Sequence, residues 1–519
     1  MRTHVSLAFK ALALAAAASL AACNGGSTTS TPPIPAPPPS SAVLTNIVGV
    51  GDSLTAGYQS GGFLGDTSMA DPFYPGLNVP PGQESGWWSQ FYMQAAGKNY
   101  VAMANPATSV LPLIVKPGLS DQLVPNNPAV TGQPIPFLPL DKAIPGHGCD
   151  AFSKAAYSLA TFGSTRMNPT SLPKDLGVPG ITMHEAITMY QPNEPTCAAL
   201  PGPLSVLQPL LSEAGPFYPV LGTYASSVTP LTMLNAAVAA KPTLTTVWLG
   251  ANDVLHYAFS GGQFTAVDTT TAQVTSDMTQ IITTLQRAGS AVVVANVPNV
   301  LHTAFFFSMS IPSNPAATCP LQSNLFCFLI SPAVGLPAGT AATVVGNIAT
   351  QYKLGTTGYI TLEGVISELT ASPQFSANLD TLAGGNGNGS MYVTPTLAGG
   401  IQTENDTINS GISAAATATG VPMVDVKTIL DDIYSGNTAD PLAATALTVN
   451  PGKCCSMAFF GGLLSFDGLH PSNTGYALLA DAFIQAVNTK YGTTIAPVNP
   501  VAVYNGTGQI PFPDPYAQH

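Results

Sequence analysis

Three short blocks of this 519-residue chain hold the residue types of nucleophilic acyl transfer. Gly51-Asp52-Ser53-Leu54 offers a hydroxyl nucleophile directly after an apolar run. A neutral Ser hydroxyl attacks poorly unless a base takes its proton as the new bond forms. Asp467-Gly468-Leu469-His470 offers that base, with a carboxylate three residues before the imidazole that could orient it. Gly250-Ala251-Asn252-Asp253 offers a side-chain amide able to donate to a developing oxyanion. Singly, each block is weak. A Gly-Asp-Ser turn is more often a turn with a helix cap, Asn252 and Asp253 read equally well as caps, and His470 as a loop residue. Asp52 and Asp253 rival Asp467 as catalytic acids, and both read as structural partners of their turns.

Such chemistry needs the three blocks in one place, so the elements between them decide its plausibility. Residues 45–50, 244–249, 291–297 and 421–426 are short apolar runs rich in β-branched side chains. Runs of this kind read as strands buried on both faces, as in a parallel sheet. Helical patterns lie between them. Residues 271–288 carry Val274, Met278, Ile281, Ile282 and Leu285 at three- and four-residue steps, with Gly289 as a stop. Residues 408–419 precede the fourth run, and residues 473–487 align Tyr476, Leu479, Ala480 and Phe483 on one stripe. The alternation predicts an α/β fold, a three-layer α/β/α sandwich with a central parallel sheet. The Ser and Asn blocks then close two strands at the carboxyl edge, where ligands of such sheets bind.

The blocks therefore gain weight from occurring together, in this order, at strand ends and loops of one edge. Together they resemble the GDSL family of the SGNH hydrolases, and the flanks agree: Trp248 before the Asn block, Pro471 and Gly475-Tyr476 after the His. The resemblance spans residues 46–487, with the insertions unmatched. It implies an SGNH/flavodoxin-like sandwich and an esterase or lipase that uses no metal or other cofactor. It assigns Ser53 as nucleophile, His470 as base and then acid, and Asp467 as the partner of His470. It builds the oxyanion hole from the Ser53 N–H, the Asn252 amide and a glycine N–H. The glycine block is where this chain departs. Residues 101–108 read Val-Ala-Met-Ala-Asn-Pro-Ala-Thr, with Pro106-Ala107 where relatives commonly carry Pro-Gly. Pro106 has no N–H to give, so Ala107 is the expected third donor. The implied substrate is a small-molecule or lipid ester. Phe305-Phe306-Phe307 and Leu463-Leu464 are candidates to line an acyl pocket, or else ordinary packing. A polysaccharide O-acetyl esterase and a non-catalytic surface-binding module are the alternative readings.

Composition bounds the rest. Charged residues make up 8% of the chain, against roughly 25% in an ordinary soluble domain. The 49 Gly and 48 Pro are many, but 45% hydrophobic content with 21 Phe, 17 Tyr and 3 Trp supports a large core and excludes wholesale disorder. The net charge is −12 and no Lys/Arg-rich run exists, which argues against nucleic acid as a partner. Residues 1–22 form an export signal, with Arg2 and Lys10, an apolar run over 11–18 and small residues before a cut site. Its ending, Leu20-Ala21-Ala22-Cys23, resembles the lipobox of bacterial lipoproteins and implies cleavage before Cys23 and lipidation of its thiol. Asn24 rather than Asp at the next position points to the outer membrane or cell surface. Residues 23–43 then read as a Pro/Ser/Thr-rich tether. No later run has the length of a membrane span, so the expected attachment is an anchor. The body covers 44–490 with insertions near 110–240 and 301–405, and 491–519 is a tail. Helical pieces are expected near 231–240 and 341–352. Cys149, Cys197, Cys319, Cys327, Cys454 and Cys455 remain for disulfides, with Cys149–Cys197 and Cys319–Cys327 as plausible staples of Pro-rich segments.

Overall fold

The structure, a computed structural model, describes residues 33–59, 82–115, 165–166, 168, 170–189, 220–224, 228–263, 270–331, 334–371, 375–383, 385–448, 462–465 and 467–514. The export signal, Cys23, Cys149, Cys197, Cys454 and Cys455 lie outside these residues. In chain order the strands are β1 Ile47–Gly51, β2 Ile114–Val115, β3 Thr165–Arg166, β4 Leu244–Trp248, β5 Ala291–Ala295, β6 Phe306–Ser308, β7 Tyr359–Thr361, β8 Tyr392–Val393 and β9 Met423–Val424. The helices used below are α1 Trp87–Ala96, α2 Met183–Thr188, α3 Ala251–Phe259, α4 Thr271–Arg287, α5 Pro395–Thr419, α6 Val426–Ser435 and α7 Asn473–Tyr491.

Four strands form the central sheet in the order β1-β4-β5-β9, all parallel, with Ile47 opposite Leu244 and Leu244 opposite Ala291. Every residue of β1, β4 and β5 is buried, Thr245 and Thr246 included, as the unbroken apolar runs require of strands covered on both faces. Residues 174–178 extend the sheet beyond β1. Gly49 N–H donates to Lys174 O, and the N–H groups of Leu176 and Val178 donate to Gly49 O and Gly51 O, at 2.8–3.0 Å. Counting this segment, the five pieces lie in the order 2-1-3-4-5 of their chain sequence, the flavodoxin-like doubly wound arrangement.

Helices α1 and α7 pack together, and α7 also packs on β5 and β9. Trp87 of α1 stacks on Phe483 of α7 at 4.0 Å and meets Trp248 edge-on at 5.8 Å. A second group, α2 to α5, packs on itself and reaches β5 through α4 and α5. Helix α4 runs as expected, capped by the Thr270 side chain and burying Val274, Met278, Ile281, Ile282 and Leu285. The α5 helix begins well before residue 408, the expected start. Thr394 caps it, Pro395 occupies its first turn and Gly420 ends it in the left-handed region. Gly399-Gly400 masks the pattern in the sequence, yet at Gly400 a β-carbon would lie 2.4 Å from the Tyr257 hydroxyl of α3. The insertion expected over 301–405 thus ends inside a helix of the sandwich. Asn409 of α5 accepts from Val297 N–H at 2.7 Å and donates to Val297 O at 2.9 Å, serving the backbone where β5 stops.

The rest of that insertion builds an antiparallel sheet, β6-β7-β8, and carries the Cys319–Cys327 disulfide. Phe305, Phe306 and Phe307 are buried there and packed on one another, Phe259 and Phe328, so they are core packing. The tether expected through residue 43 ends sooner. Ser40–Val43 is a helical turn, Val43 is fully buried, and its carbonyl accepts from the Thr243 hydroxyl. The tail is laced to α7, with Asp514 accepting from the Thr474 N–H and hydroxyl. No helix among the described residues is long and apolar enough to cross a membrane.

Candidate active site

Strand β1 ends at Gly51, and the chain turns at once through Asp52 and Ser53. Asp52 Oδ1 accepts from Leu54 N–H at 2.9 Å, and Asp52 O accepts from Ala56 N–H, which fixes the turn that presents Ser53. Asp52 is fully buried, and burial pushes its carboxyl up to about 7. Its bonding is to its own turn, as the sequence suggested.

The Asp-x-x-His block is held by a short antiparallel loop. Ser465 N–H donates to His470 O and Ser472 N–H to Leu463 O, at 2.7 and 2.8 Å. Gly468 takes a φ of 73° inside it, where a β-carbon would lie 2.8 Å from Phe305 N. This folding brings Asp467 under the imidazole. Asp467 Oδ1 accepts from the backbone N–H groups of Leu469 and His470, both at 2.8 Å, and Oδ2 lies 2.7 Å from His470 Nδ1. Burial alone would raise the Asp467 carboxyl, but the adjacent His470 and these hydrogen bonds hold it below the usual carboxylate range. With Nδ1–H donating to Asp467, Nε2 is left to accept, and it lies 2.9 Å from Ser53 Oγ across 417 residues of sequence. Tyr58 packs against the ring with centroids 4.8 Å apart. Ser53 and His470 are each 5% exposed and Asp467 1%, so the line is shielded from bulk water except at its mouth.

Asn252 and Asp253 sit in the first turn of α3, directly after β4, at the same carboxyl edge. Asn252 Nδ2 donates to Ile181 O at 3.0 Å, which leaves a second amide hydrogen to give. Asp253 Oδ2 accepts from Met183 N–H at 3.1 Å, a structural contact like that of Asp52. These two bonds dock the 181–183 stretch, which continues from segment 174–178, beside the nucleophile turn.

Ala107, the expected third donor, is not brought to this edge. Ala107 is exposed, and its N–H is taken by Asn105 Oδ1 of its own turn at 2.9 Å. The turn follows a short helix, Tyr100–Ala104, rather than a strand, and Val110 beyond it bonds Lys174 at the amino end of segment 174–178, away from the carboxyl edge. The glycine that follows the strand beside β1 is Gly180. It takes a φ of 84°, a conformation that disfavours any β-carbon, and lies between Val178, bonded to Gly51, and Ile181, bonded to Asn252. Among the described residues neither the Gly180 N–H nor the Ser53 N–H has a hydrogen-bond partner. The one sequence signal for it is the Pro179-Gly180 pair. In Leu176-Gly177-Val178-Pro179-Gly180, Gly177 is packed so closely that a β-carbon would lie 2.4 Å from Ala56 N. A Pro-rich setting and only three ladder bonds hide the strand that precedes it.

The assembled groups can pass a proton from a hydroxyl to an imidazole steadied by a buried carboxylate, beside unbonded donors able to receive negative charge. No curated protein and no solved structure matches the chain significantly. The GDSL-like lipase/acylhydrolase family model matches residues 218–483, which hold the Asn and Asp-x-x-His blocks, and the chain belongs to that family of ester hydrolases.

Proposed function

We propose that the protein is a serine esterase or lipase that hydrolyses carboxylic esters through an acyl-enzyme. Ser53 Oγ attacks the ester carbonyl carbon as its proton passes to His470 Nε2. Asp467 orients the imidazole and stabilises its protonated form. The carbonyl oxygen becomes an oxyanion facing the Ser53 and Gly180 N–H groups and the free hydrogen of Asn252 Nδ2. As the tetrahedral intermediate collapses, the C–O bond to the alcohol breaks and His470 returns the proton to that oxygen. Water then repeats the sequence on the acyl-Ser53 ester, releasing the acid and regenerating the hydroxyl. The observation that carries this reading is the continuous line from Asp467 Oδ2 to His470 to Ser53 Oγ, at 2.7 and 2.9 Å. Ser53→Ala should remove hydrolysis of short p-nitrophenyl esters; turnover retained in that variant would overturn the assignment.

The protein is also proposed to work as an exported lipoprotein, held at the outer membrane or cell surface through Cys23. The support is the basic and apolar start, the Leu-Ala-Ala-Cys ending and the Pro/Ser/Thr-rich stretch after it. Cys23→Ala should move the protein from the membrane fraction to the soluble fraction of a lipoprotein-processing host. An unchanged membrane fraction would remove the anchor from the account.

A further inference from the structure

Basic side chains are few in this chain, and they are gathered. Of the eight Lys and Arg among the described residues, five lie at the amino edge of the central sheet, opposite the edge that carries Ser53. Lys98 follows the last turn of α1, Lys241 lies between helix Met233–Ala239 and β4, Arg287 ends α4 ahead of β5, and Lys490 is in the last turn of α7. Lys174 begins the segment beside β1, and burial together with the nearby Lys98 lowers its ammonium below the usual range. Helix dipoles favour cations at the four helix ends, but Lys174 starts a strand. Among the described residues the acid at this edge is Asp175, which is 1% exposed and pushed up to about 8 by burial. Asp406, Asp425, Asp431 and Asp432 gather instead near the carboxyl ends of β5 and β9. The two most exposed large apolar side chains of the described residues stand beside the cations. Val101, 69% exposed, comes three residues after Lys98, and Leu172, 51% exposed, two before Lys174. The chain also enters the body here: Ser40–Val43 leads into β1, and a β-carbon on Gly492, just past α7, would lie 3.3 Å from Ser40 Oγ.

We propose that this edge docks on an anionic phospholipid surface, with the Lys and Arg side chains on headgroup phosphates and Val101 and Leu172 at the interface, and so turns the catalytic edge away from the membrane. The proposal rests on the anchor at Cys23 proposed above. Residues 24–39 reach about 50 Å even when extended at roughly 3.1 Å per residue, so the edge they lead into is the one held nearest the lipid. A tether of that length makes a weak surface attraction effectively intramolecular. The net charge of −12 does not oppose the contact. The five residues of β1 span about 16 Å, roughly two screening lengths at physiological ionic strength, so the acids at the far edge are screened from the lipid. Each Lys or Arg held against an anionic surface is worth roughly fivefold in binding. An ester that reaches Ser53 then comes from the solvent side, not from the membrane that holds the protein.

The test places the full lipidated chain on vesicles of phosphatidylcholine alone or with phosphatidylglycerol, acetylates its amines with a water-soluble reagent and reads each site by mass spectrometry. With phosphatidylglycerol present, Lys98, Lys241 and Lys490 should label at least fivefold more slowly, and 0.5 M salt should restore their rates. Lys353, in the insertion that carries β6 to β8, should label alike on both vesicles. Equal rates at the edge on the two vesicles, or the same slowing at Lys353, overturns the docking face. A second readout needs no anchor. The full chain carrying Cys23→Ala should sediment with phosphatidylglycerol vesicles at least tenfold more than the same chain with Lys98→Glu, Lys241→Glu and Lys490→Glu added. All three side chains are exposed and far from Ser53, so unchanged hydrolysis of a soluble ester reports an intact fold. Equal sedimentation of the two folded chains overturns the proposal. Wild-type chain that washes off phosphatidylcholine vesicles removes the anchor reading, and the Cys23→Ala pair still decides the face.

Discussion

Asp467 has two tasks that one substitution separates. Its Oδ2 fixes the imidazole tautomer that leaves Nε2 free for Ser53, and its Oδ1 closes the loop by accepting two backbone N–H groups. Asp467→Asn should keep the loop and lose the tautomer, lowering kcat by about 10³- to 10⁴-fold in steady-state ester hydrolysis. The carboxyl lies below its ordinary value in the folded state, so its contribution to stability is present above the unfolded pKa and is lost as pH falls through the folded one. The same variant should therefore cost more stability at neutral pH than at strongly acid pH, which thermal melts at the two values can check. Asn252→Ala removes one proposed oxyanion donor and should lower kcat by about 10²- to 10³-fold, with a smaller effect on KM. Ser53, Asn252, Asp467 and His470, which the structure brings to one sheet edge, are visible in the sequence as candidates, because side-chain types at fixed spacing mark them. Gly180, the proposed third donor, carries no such mark. A backbone N–H has no side-chain signature, and Pro179-Gly180, although it is the Pro-Gly pair itself, sits in a Pro-rich stretch after a strand of only three ladder bonds.

Among the elements, the long apolar strands were legible and the pieces beside them were not. Strands β1, β4 and β5 are continuous apolar runs because both their faces are covered. Segment 174–178 meets β1 on one side and only Val110 on the other, and it buries an acid, Asp175, whose carboxyl burial pushes up to about 8, so no periodicity marks it. The sequence pattern starts α5 only at residue 408 because Gly399 and Gly400 break it, although Gly400 is what lets Tyr257 approach. Burying an acid leaves its own trace on stability. Glu84, in the short helix Gly82–Ser85, is 4% exposed, its Oε2 has no partner, and burial pushes its carboxyl up to about 8. Between the unfolded value near 4.5 and about 8 the unfolded chain releases this proton and the folded chain keeps it. Stability then declines as pH rises through that window, by at most about 1.4 kcal/mol per pH unit from this group. Glu84→Gln has nothing to ionise, so it should gain stability over wild type in melts at pH 8 and show little gain at pH 4.

At the scale of the whole molecule, the sparse charge and the great length have one explanation in the way the chain is closed. Side-chain amides and hydroxyls cap helices across the fold, as Asn99, Thr182, Thr270, Asn324, Thr394 and Ser472 do, and Asn405 and Asn409 bond backbone where β5 ends. These groups satisfy backbone donors and acceptors, buried ones such as Cys327 N–H among them, without the desolvation cost of an ion. Length does not mean several catalytic units: the blocks near residues 51, 250 and 467 meet at one sheet edge, and the described helices and strands between them pack on that sheet or on one another. Ser53, the proposed nucleophile, thus depends on folding across 417 residues to meet His470. The most direct measurement is to label the native chain with a fluorophosphonate and locate the adduct by mass spectrometry. The account predicts an adduct on Ser53, absent when the protein is first unfolded in urea and absent in His470→Ala. An adduct on another residue, or labelling of Ser53 at the native rate in the unfolded chain, would contradict it.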